Sequence, residues 1–380
     1  MRTNVTRWLA LTLPLALILA ACGDDPEPVE EPAAAVEEPA DTEEDTQPEE
    51  DVEATEEPGD PVEAELEELY EAAQEEDGPI VIYGPASDTR QPMWDAFSER
   101  FPGLEVEGVV VTGAELRERI DAEFISGQHV ASVVSTGGTA MVDFAEAELF
   151  EVYEPASLRD LPEEYWSPDG RIHAFTGFAF VNIYNTDMVS EDEAPRSWED
   201  LFDWSGEITT GDPTRPAGAM PFLLLRMLND PNYGEAFLEE FSQVEMNFMP
   251  ATFEIGSQVA RGEWPIGAAV PLQFVTTLVG EDAPIEIIFP IEGGNHLSEH
   301  WMGVVENAPN PNGARLLKAW MFTDEAQTLM AEINEYPLQP GMPGPAGLPP
   351  ASEIEMLRPM TYDEIRTASD NYSRVHAFWE

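Results

Sequence analysis

The sequence predicts an α/β protein of two lobes, each a mainly parallel sheet flanked by helices. Three observations predict it. From Pro79 onward short apolar strands alternate with amphipathic helices, the pattern of an open parallel sheet whose crossovers cover its faces. The alternation is interrupted by one long apolar segment, Ala174 to Tyr184, and restarts at Ser197. The patterned part, roughly 300 residues, exceeds one ordinary domain and suits two lobes of about 150.

In the first lobe, Pro79 to Tyr83 reads as a strand, and Thr89 to Phe101 as a helix with Met93, Trp94, Phe97 and Phe101 on one face. Pro102-Gly103 ends that helix. Leu104 to Val111 is the second strand; a helix carrying Leu116, Ile120 and Phe124 follows and stops at Gly127. Val130 to Val134 is the third strand, and Thr139 to Leu149 the helix after it. The restart is a capped helix, Ser197-Trp198-Glu199-Asp200-Leu201, then a strand from Glu207 to Thr210 and an apolar helix reaching Leu228. Strand Val244 to Met249, helix Thr252 to Arg261 and strand Pro265 to Val270 complete the second sheet. The expected division is 62–180 with 286–335 for the first lobe, and 181–285 with 336–380 for the second.

The N-terminal segment is of another kind. Arg2 and Arg7 precede an apolar run from Trp8 to Ala21, the positive and apolar regions of an export signal, too short to span a bilayer stably. It ends Leu19-Ala20-Ala21-Cys22-Gly23, which resembles the bacterial lipobox. That resemblance implies that residues 1–21 are removed and that Cys22 becomes a lipid-modified N-terminus. Cys22 is the single cysteine, so no internal disulfide is expected. Asp24 to Asp77 holds 26 acidic residues and no Lys or Arg. Such a stretch buries no core, and residues 22–61 are expected to be an extended, self-repelling tether. Val62 to Ala73, with Leu66, Leu69 and Tyr70 at helical spacing, begins the folded body.

Charge excludes one class of partner. The whole chain carries a formal −59, and beyond Asp77 there remain 50 acidic and 15 basic residues. A surface so acidic repels phosphate backbones, so nucleic acid is not an expected partner. It suits a protein kept soluble in concentrated salt, where a Debye length of about 3 Å at about 1 M screens self-repulsion.

Parallel sheets bind ligands beyond the carboxyl ends of their strands, where helix N-termini present free N–H groups. Three first-lobe turns open on that edge: Gly84 to Arg90, Thr112 to Glu115, and Ser135 to Thr139. The second lobe offers Gly211 to Ala219.

Taken in order, five segments resemble those of a known family: Val81-Ile82-Tyr83-Gly84, the helix Ser197 to Leu201, Gly211-Asp212-Pro213, Pro309-Asn310-Pro311-Asn312, and Thr323-Asp324-Glu325-Ala326-Gln327. It is that of the ABC-transporter solute receptors grouped with ferric-iron, phosphonate, sugar-phosphate and thiamine binders, and the likeness runs from about Pro79 to about Gly344. The resemblance implies a type II periplasmic-binding-protein-like fold, its lobes joined by hinge strands at Phe178 to Tyr184 and Ile285 to Pro290. It implies an extracytoplasmic receptor that closes around a solute, delivers it to a membrane permease and catalyses nothing. A monomer without a cofactor is expected. The iron binders of the family place a histidine in the first turn, a carboxylate in the third, and two adjacent tyrosines late in the second lobe. Here those positions read Pro85-Ala86-Ser87, a Ser/Thr/Gly turn, and Pro271-Leu272-Gln273-Phe274.

Hydroxyls, glycine turns and helix N-termini are the chemistry of an oxyanion site. Ser87, Asp88 and Arg90 are the candidates of the first turn; Ser135, Thr136, Gly138 and Thr139 of the third; Thr214, Arg215 and Gly218 of the second lobe. Arg90 and Arg215 facing one another would grip a phosphate or phosphonate by bidentate bonds. Against this stand ordinary N-caps at Ser87, Asp88 and Thr214, a plain glycine turn, and arginines paired to surface carboxylates. Tyr184 and Phe253 are candidates to stack on an organic portion, with core packing as the alternative. Glu254 and Glu292 are candidates for an ammonium group, with solvated surface as the alternative. His296-Leu297-Ser298-Glu299-His300 departs from the zinc motif H-E-x-x-H and reads as a loop before a strand from Trp301 to Val305. No G-x-S-x-G elbow or P-loop supports an enzyme; a secreted metal-dependent enzyme using His296 and His300 is the competing class.

Overall fold

The computed structural model describes residues 59–215, 219–250, 252–280, 283–345 and 347–380. The expected signal, Cys22, nearly all of the tether, and Gly218 lie outside the described residues.

Among the described residues ten strands make the sheet: β1 (Ile80–Gly84), β2 (Val106–Val110), β3 (Val133–Gly137), β4 (His173–Asn185), β5 (Ile208–Gly211), β6 (Met246–Met249), β7 (Ile266–Pro271), β8 (Ile285–Ile288), β9 (Leu297–Val304) and β10 (Tyr336–Pro337). Around them lie α1 (Pro61–Ala73), α2 (Gln91–Arg100), α3 (Gly113–Ser126), α4 (Gly138–Glu146), α5 (Asp200–Asp203), α6 (Ala219–Asn229) and α7 (Gly234–Phe241). The remaining helices are α8 (Ile255–Ala260), α9 (Thr276–Gly280), α10 (Pro311–Met321), α11 (Asp324–Glu332), α12 (Tyr362–Arg366) and α13 (Ala368–His376).

Strand order is β2-β1-β3-β9-β4-β7-β5-β6, with β8 and β10 also on β4. The pivot is β4, buried along its whole length. Its first part, His173 to Ala179, pairs antiparallel with β9, and its last part, Phe180 to Asn185, with β7 and β8. One continuous strand therefore serves two half-sheets. The parallel triplet β2-β1-β3 lies on one side and β7-β5-β6 on the other. This is the α/β architecture that the sequence predicts, with β4 in the place of the first expected hinge strand.

Local chemistry explains how the elements begin and end. Asp60 caps α1 by accepting from Val62 N at 3.0 Å, and Val62, Leu66 and Ala73 bury the helix's inner face. Gly127 stops α3 in the left-handed region, φ 65°, where a side chain is strained. Ser197 Oγ accepts from Asp200 N at 3.0 Å while the Asp200 carboxylate accepts from Ser197 N at 2.9 Å, a reciprocal cap at the expected restart.

Three differences from the sequence reading bear on the site. Ser135 to Gly137 belong to β3, opposite Met302, Trp301 and His300, rather than to a turn. Most of the segment read as a loop, Leu297 to His300, opens β9 itself, with His296 just before it and His300 within it both buried. The C-terminal part is shared between the half-sheets: β10 pairs with β4 at Gly177 and Thr176, α12 packs on α4, and α13 packs on α6.

Candidate ligand edge of the two half-sheets

Both triplets present their carboxyl ends in register. In the first, Gly84 stands opposite Val110, and Tyr83 opposite Val134, so the turns after β1, β2 and β3 leave one edge. The turn after β1 is drawn tight against β3. A Cβ at Gly84 would lie 1.9 Å from the Ser135 carbonyl oxygen, an approach that only glycine permits. Ser87 is buried and donates its hydroxyl to Gly84 O at 3.0 Å, which holds the turn closed; Asp88 is exposed.

Arg90 does not reach outward. It is 1 % exposed and meets Glu335 through two nitrogens, Nε at 3.0 Å and Nη2 at 2.8 Å. Its Nη1 donates to Ser135 Oγ at 3.2 Å, and its guanidinium carbon lies 4.9 Å from the Phe175 ring centre. Nη2 also stands 3.5 Å from His300 Nδ1. A guanidinium only donates, so that imidazole nitrogen accepts and the ring is neutral. Burial, and then the Arg90 charge, hold the His300 pKa well below its ordinary value. The anion that offsets a cation at the start of α2 is thus a carboxylate of this chain. Arg90 and Ser135 form a buried bracket behind the edge and offer no charge to a ligand.

A second buried guanidinium docks on the other end of the same segment. Arg226 Nη1 donates to Glu299 Oε1 at 2.8 Å and Leu297 O at 2.9 Å, and lies 3.1 Å from His296 Nδ1. Burial, and then Arg226, hold His296 well below its ordinary pKa too. The polar residues that suggest a metal motif are therefore partners of two arginines.

The start of α4 remains partly open. Gly137 caps the helix without a side-chain bond, and a Cβ there would meet nothing within 4 Å. Gly138 is covered: a Cβ would lie 3.0 Å from Trp301 Nε1 and 3.1 Å from Ile365. Thr139 is half-buried near buried Tyr372, and Thr136 is buried.

In the second half-sheet, Ile208 to Gly211 of β5 run parallel to Met246 to Met249 of β6, and β7 flanks β5 on its other side. Asp212 N donates to Met249 O at 3.2 Å, which ties the turn after β5 to the end of β6. Asp212 Oδ1 accepts from Thr214 N at 2.8 Å and Thr214 Oγ1 at 2.7 Å, so Thr214 serves the turn. Arg215 follows, exposed. Beyond β7, Leu272 is buried, and Phe274 is 38 % exposed.

Tyr184 stands elsewhere. It pairs with Ile266, the first residue of β7, at the amino end of the parallel strands. Its hydroxyl lies 3.4 Å from Glu286 Oε2, beside a cavity lined also by Glu191, Arg196 and Glu292. Carboxylates there disfavour an anion, and Tyr184 and Glu292 fall outside the ligand edge. Phe253 corrects the core alternative: its ring is 59 % exposed, in the turn after β6, with Glu254 exposed beside it.

The family model for bacterial extracellular solute-binding proteins matches residues 129–368. The chain belongs to that family. A probable ABC transporter periplasmic-binding protein y4fP of Sinorhizobium fredii is 24 % identical over 315 residues, 77 % of this chain and 84 % of the relative. The crystal structure of iron-bound HitA from Pseudomonas aeruginosa superposes with a TM-score of 0.67 at 20 % identity, covering 80 % of this chain and 99 % of that one. AfuA from Actinobacillus pleuropneumoniae, with exogenous fructose-6-phosphate bound, gives 0.62 at 17 % identity, covering 80 % and 98 %. These structures establish the fold as the type II periplasmic-binding-protein fold.

The protein is therefore a solute-binding protein. Two features beside its edge escape a reading of the sequence. Glu335, the partner of Arg90, lies 245 positions away and carries no local signal. Phe274 registers in the sequence only as a residue that is not tyrosine.

Proposed function

We propose that this protein captures a small anionic solute, a phosphonate or phosphorylated compound, at the carboxyl edges of β5 and β3, and releases it to its permease without chemistry. One observation carries the reading. Among the described residues, every arginine except Arg215 pairs with a carboxylate. In a body with 50 acidic and 15 basic residues, an exposed arginine without such a partner is available to an anion. It stands on the turn where parallel sheets take their ligands. The uncapped start of α4 at Gly137 adds free N–H groups from the first lobe. Hinge closure about β4 and β8 would bring the two edges onto one solute. Cys22 supplies the anchor, as a lipid-bearing residue at the end of an acidic tether.

A second reading, an iron complex, draws on the likeness to iron-bound HitA. Among the described residues no three His, Cys, Asp or Glu side chains come together as a metal-holding group. The positions of the family's iron ligands read here Pro85-Ala86-Ser87, Ser135 to Thr139 and Pro271-Leu272-Gln273-Phe274, so iron would arrive with an anion of its own. A thermal-shift panel of phosphonates, sugar phosphates, thiamine, and ferric salts with and without citrate separates these readings. A hundredfold excess of a true ligand over its Kd stabilises by about 2.7 kcal/mol. A phosphonate or phosphate ester is expected to give the largest shift. Thiamine or a bare ferric salt giving it instead overturns the reading.

A further inference from the structure

We infer that the solute carries a planar aromatic ring beside its anionic group, and that Phe253 and Phe274 hold that ring. The inference rests on the anion reading and narrows it. Among the described residues the only exposed Phe, Tyr or Trp side chains are Phe248, Phe253 and Phe274, at 40 %, 59 % and 38 %. All three lie on β6 or in the turns that follow β6 and β7. Phe253 is four residues past Met249, the last of β6, and Phe274 three past Pro271, the last of β7. Arg215 is four past Gly211, the last of β5, which pairs with Met249. The three turns therefore leave one edge of one triplet.

That edge is contiguous. A Cβ at Gly211 would lie 2.9 Å from Thr252, the neighbour of Phe253, and one at Gly256 would lie 3.2 Å from Phe274 O. The two rings stand 6.3 Å apart at 72°, a face beside an edge. A flat ring laid in that corner stacks on one phenylalanine and meets the other edge-on, the two geometries that aromatic quadrupoles favour. Clustered exposed rings on a surface this acidic mark a place that something apolar covers. The cation at Arg215 says what else that occupant bears. A naked metal ion or inorganic phosphate would leave both rings bare.

The test uses matched anions on the full chain at constant high salt, read by calorimetry: phenylphosphonate against methylphosphonate, phenyl phosphate against methyl phosphate, with glucose 6-phosphate as a non-aromatic ester. The aryl member of each pair is expected to bind the parent at least about tenfold more tightly, the preference that ring stacking supplies. Phe253→Ser and Phe274→Ser each reduce that preference at least about threefold, the aryl compounds losing more affinity than the methyl ones. Arg215→Ala weakens aryl and methyl members alike. Equal affinity within each pair, tighter binding of glucose 6-phosphate, or serine variants that keep the aryl preference overturns the ring inference while the anion reading stands. Failure of every phosphate and phosphonate to bind the parent overturns both.

Discussion

Replacing Glu335 by Gln tests whether Arg90 belongs to the scaffold. The side chains of Arg90 and Glu335 are 1 % and 2 % exposed and 2.8 Å apart, so neither ion has water to fall back on. Removing one partner of such a pair costs about 3–5 kcal/mol, because the remaining charge stays buried without compensation. Glutamine keeps the shape and one acceptor, which places Glu335→Gln at about 3 kcal/mol. Replacing both, as Arg90→Met with Glu335→Leu, removes the stranded charge, and most of the loss is expected to return. The assay is urea unfolding at fixed salt, with the midpoint read at unchanged slope. Salt screens a buried pair weakly, so the deficit should persist at about 1 M salt, unlike that of the exposed Arg261–Glu263 pair. A deficit below about 1 kcal/mol for Glu335→Gln, or a double variant worse than the sum of the singles, would refute a structural bracket.

Lys318, the only lysine, is fully buried, and burial lowers its pKa to about 7 although its ammonium donates to Tyr153 O at 2.7 Å. The folded value lies below the ordinary 10.5, so between about pH 7 and 10 the unfolded chain binds more protons and stability rises with pH. The gain approaches about 4 kcal/mol, and Lys318→Met is expected to abolish the rise and be the more stable protein below about pH 7; a parent as flat as the variant contradicts this. Cys22→Ser is expected to release the protein from membranes or leave an unprocessed precursor. Mature variant sedimenting with membranes like the parent removes the lipid anchor from the account.

The alternation of strands and helices is legible because burial imposes it residue by residue, and nearly every expected element lies within a few positions of its place. Long-range partners are not. A cation at the start of α2 opposes the helix dipole and calls for an anion, but nothing near residue 90 in the sequence says that Glu335 supplies it. His296 to His300 looks too polar for a core strand, and the segment is buried only because Arg90 and Arg226 meet one nitrogen of each imidazole and the Glu299 carboxylate. Ser135 reads as a turn residue by composition, yet pairing with Met302 extends β3 through it. Phe253 sits among helical residues that suggest a core face, and only its position past the end of β6 exposes it.

The most direct test of the account is titration of the best anion from the panel into the parent and into Arg215→Ala, at about 0.1 M and about 1 M salt, where the Debye length falls from about 10 Å to about 3 Å. The fold survives, because Arg215 is an exposed turn residue. An acidic body repels an anion over distance, and salt screens that repulsion more than the short contacts of the edge. Parent affinity is therefore predicted to hold or improve with salt, and Arg215→Ala to bind more weakly by about 1.5–3 kcal/mol at both concentrations. Equal affinity of parent and variant, or a cation as the tightest ligand, would contradict it.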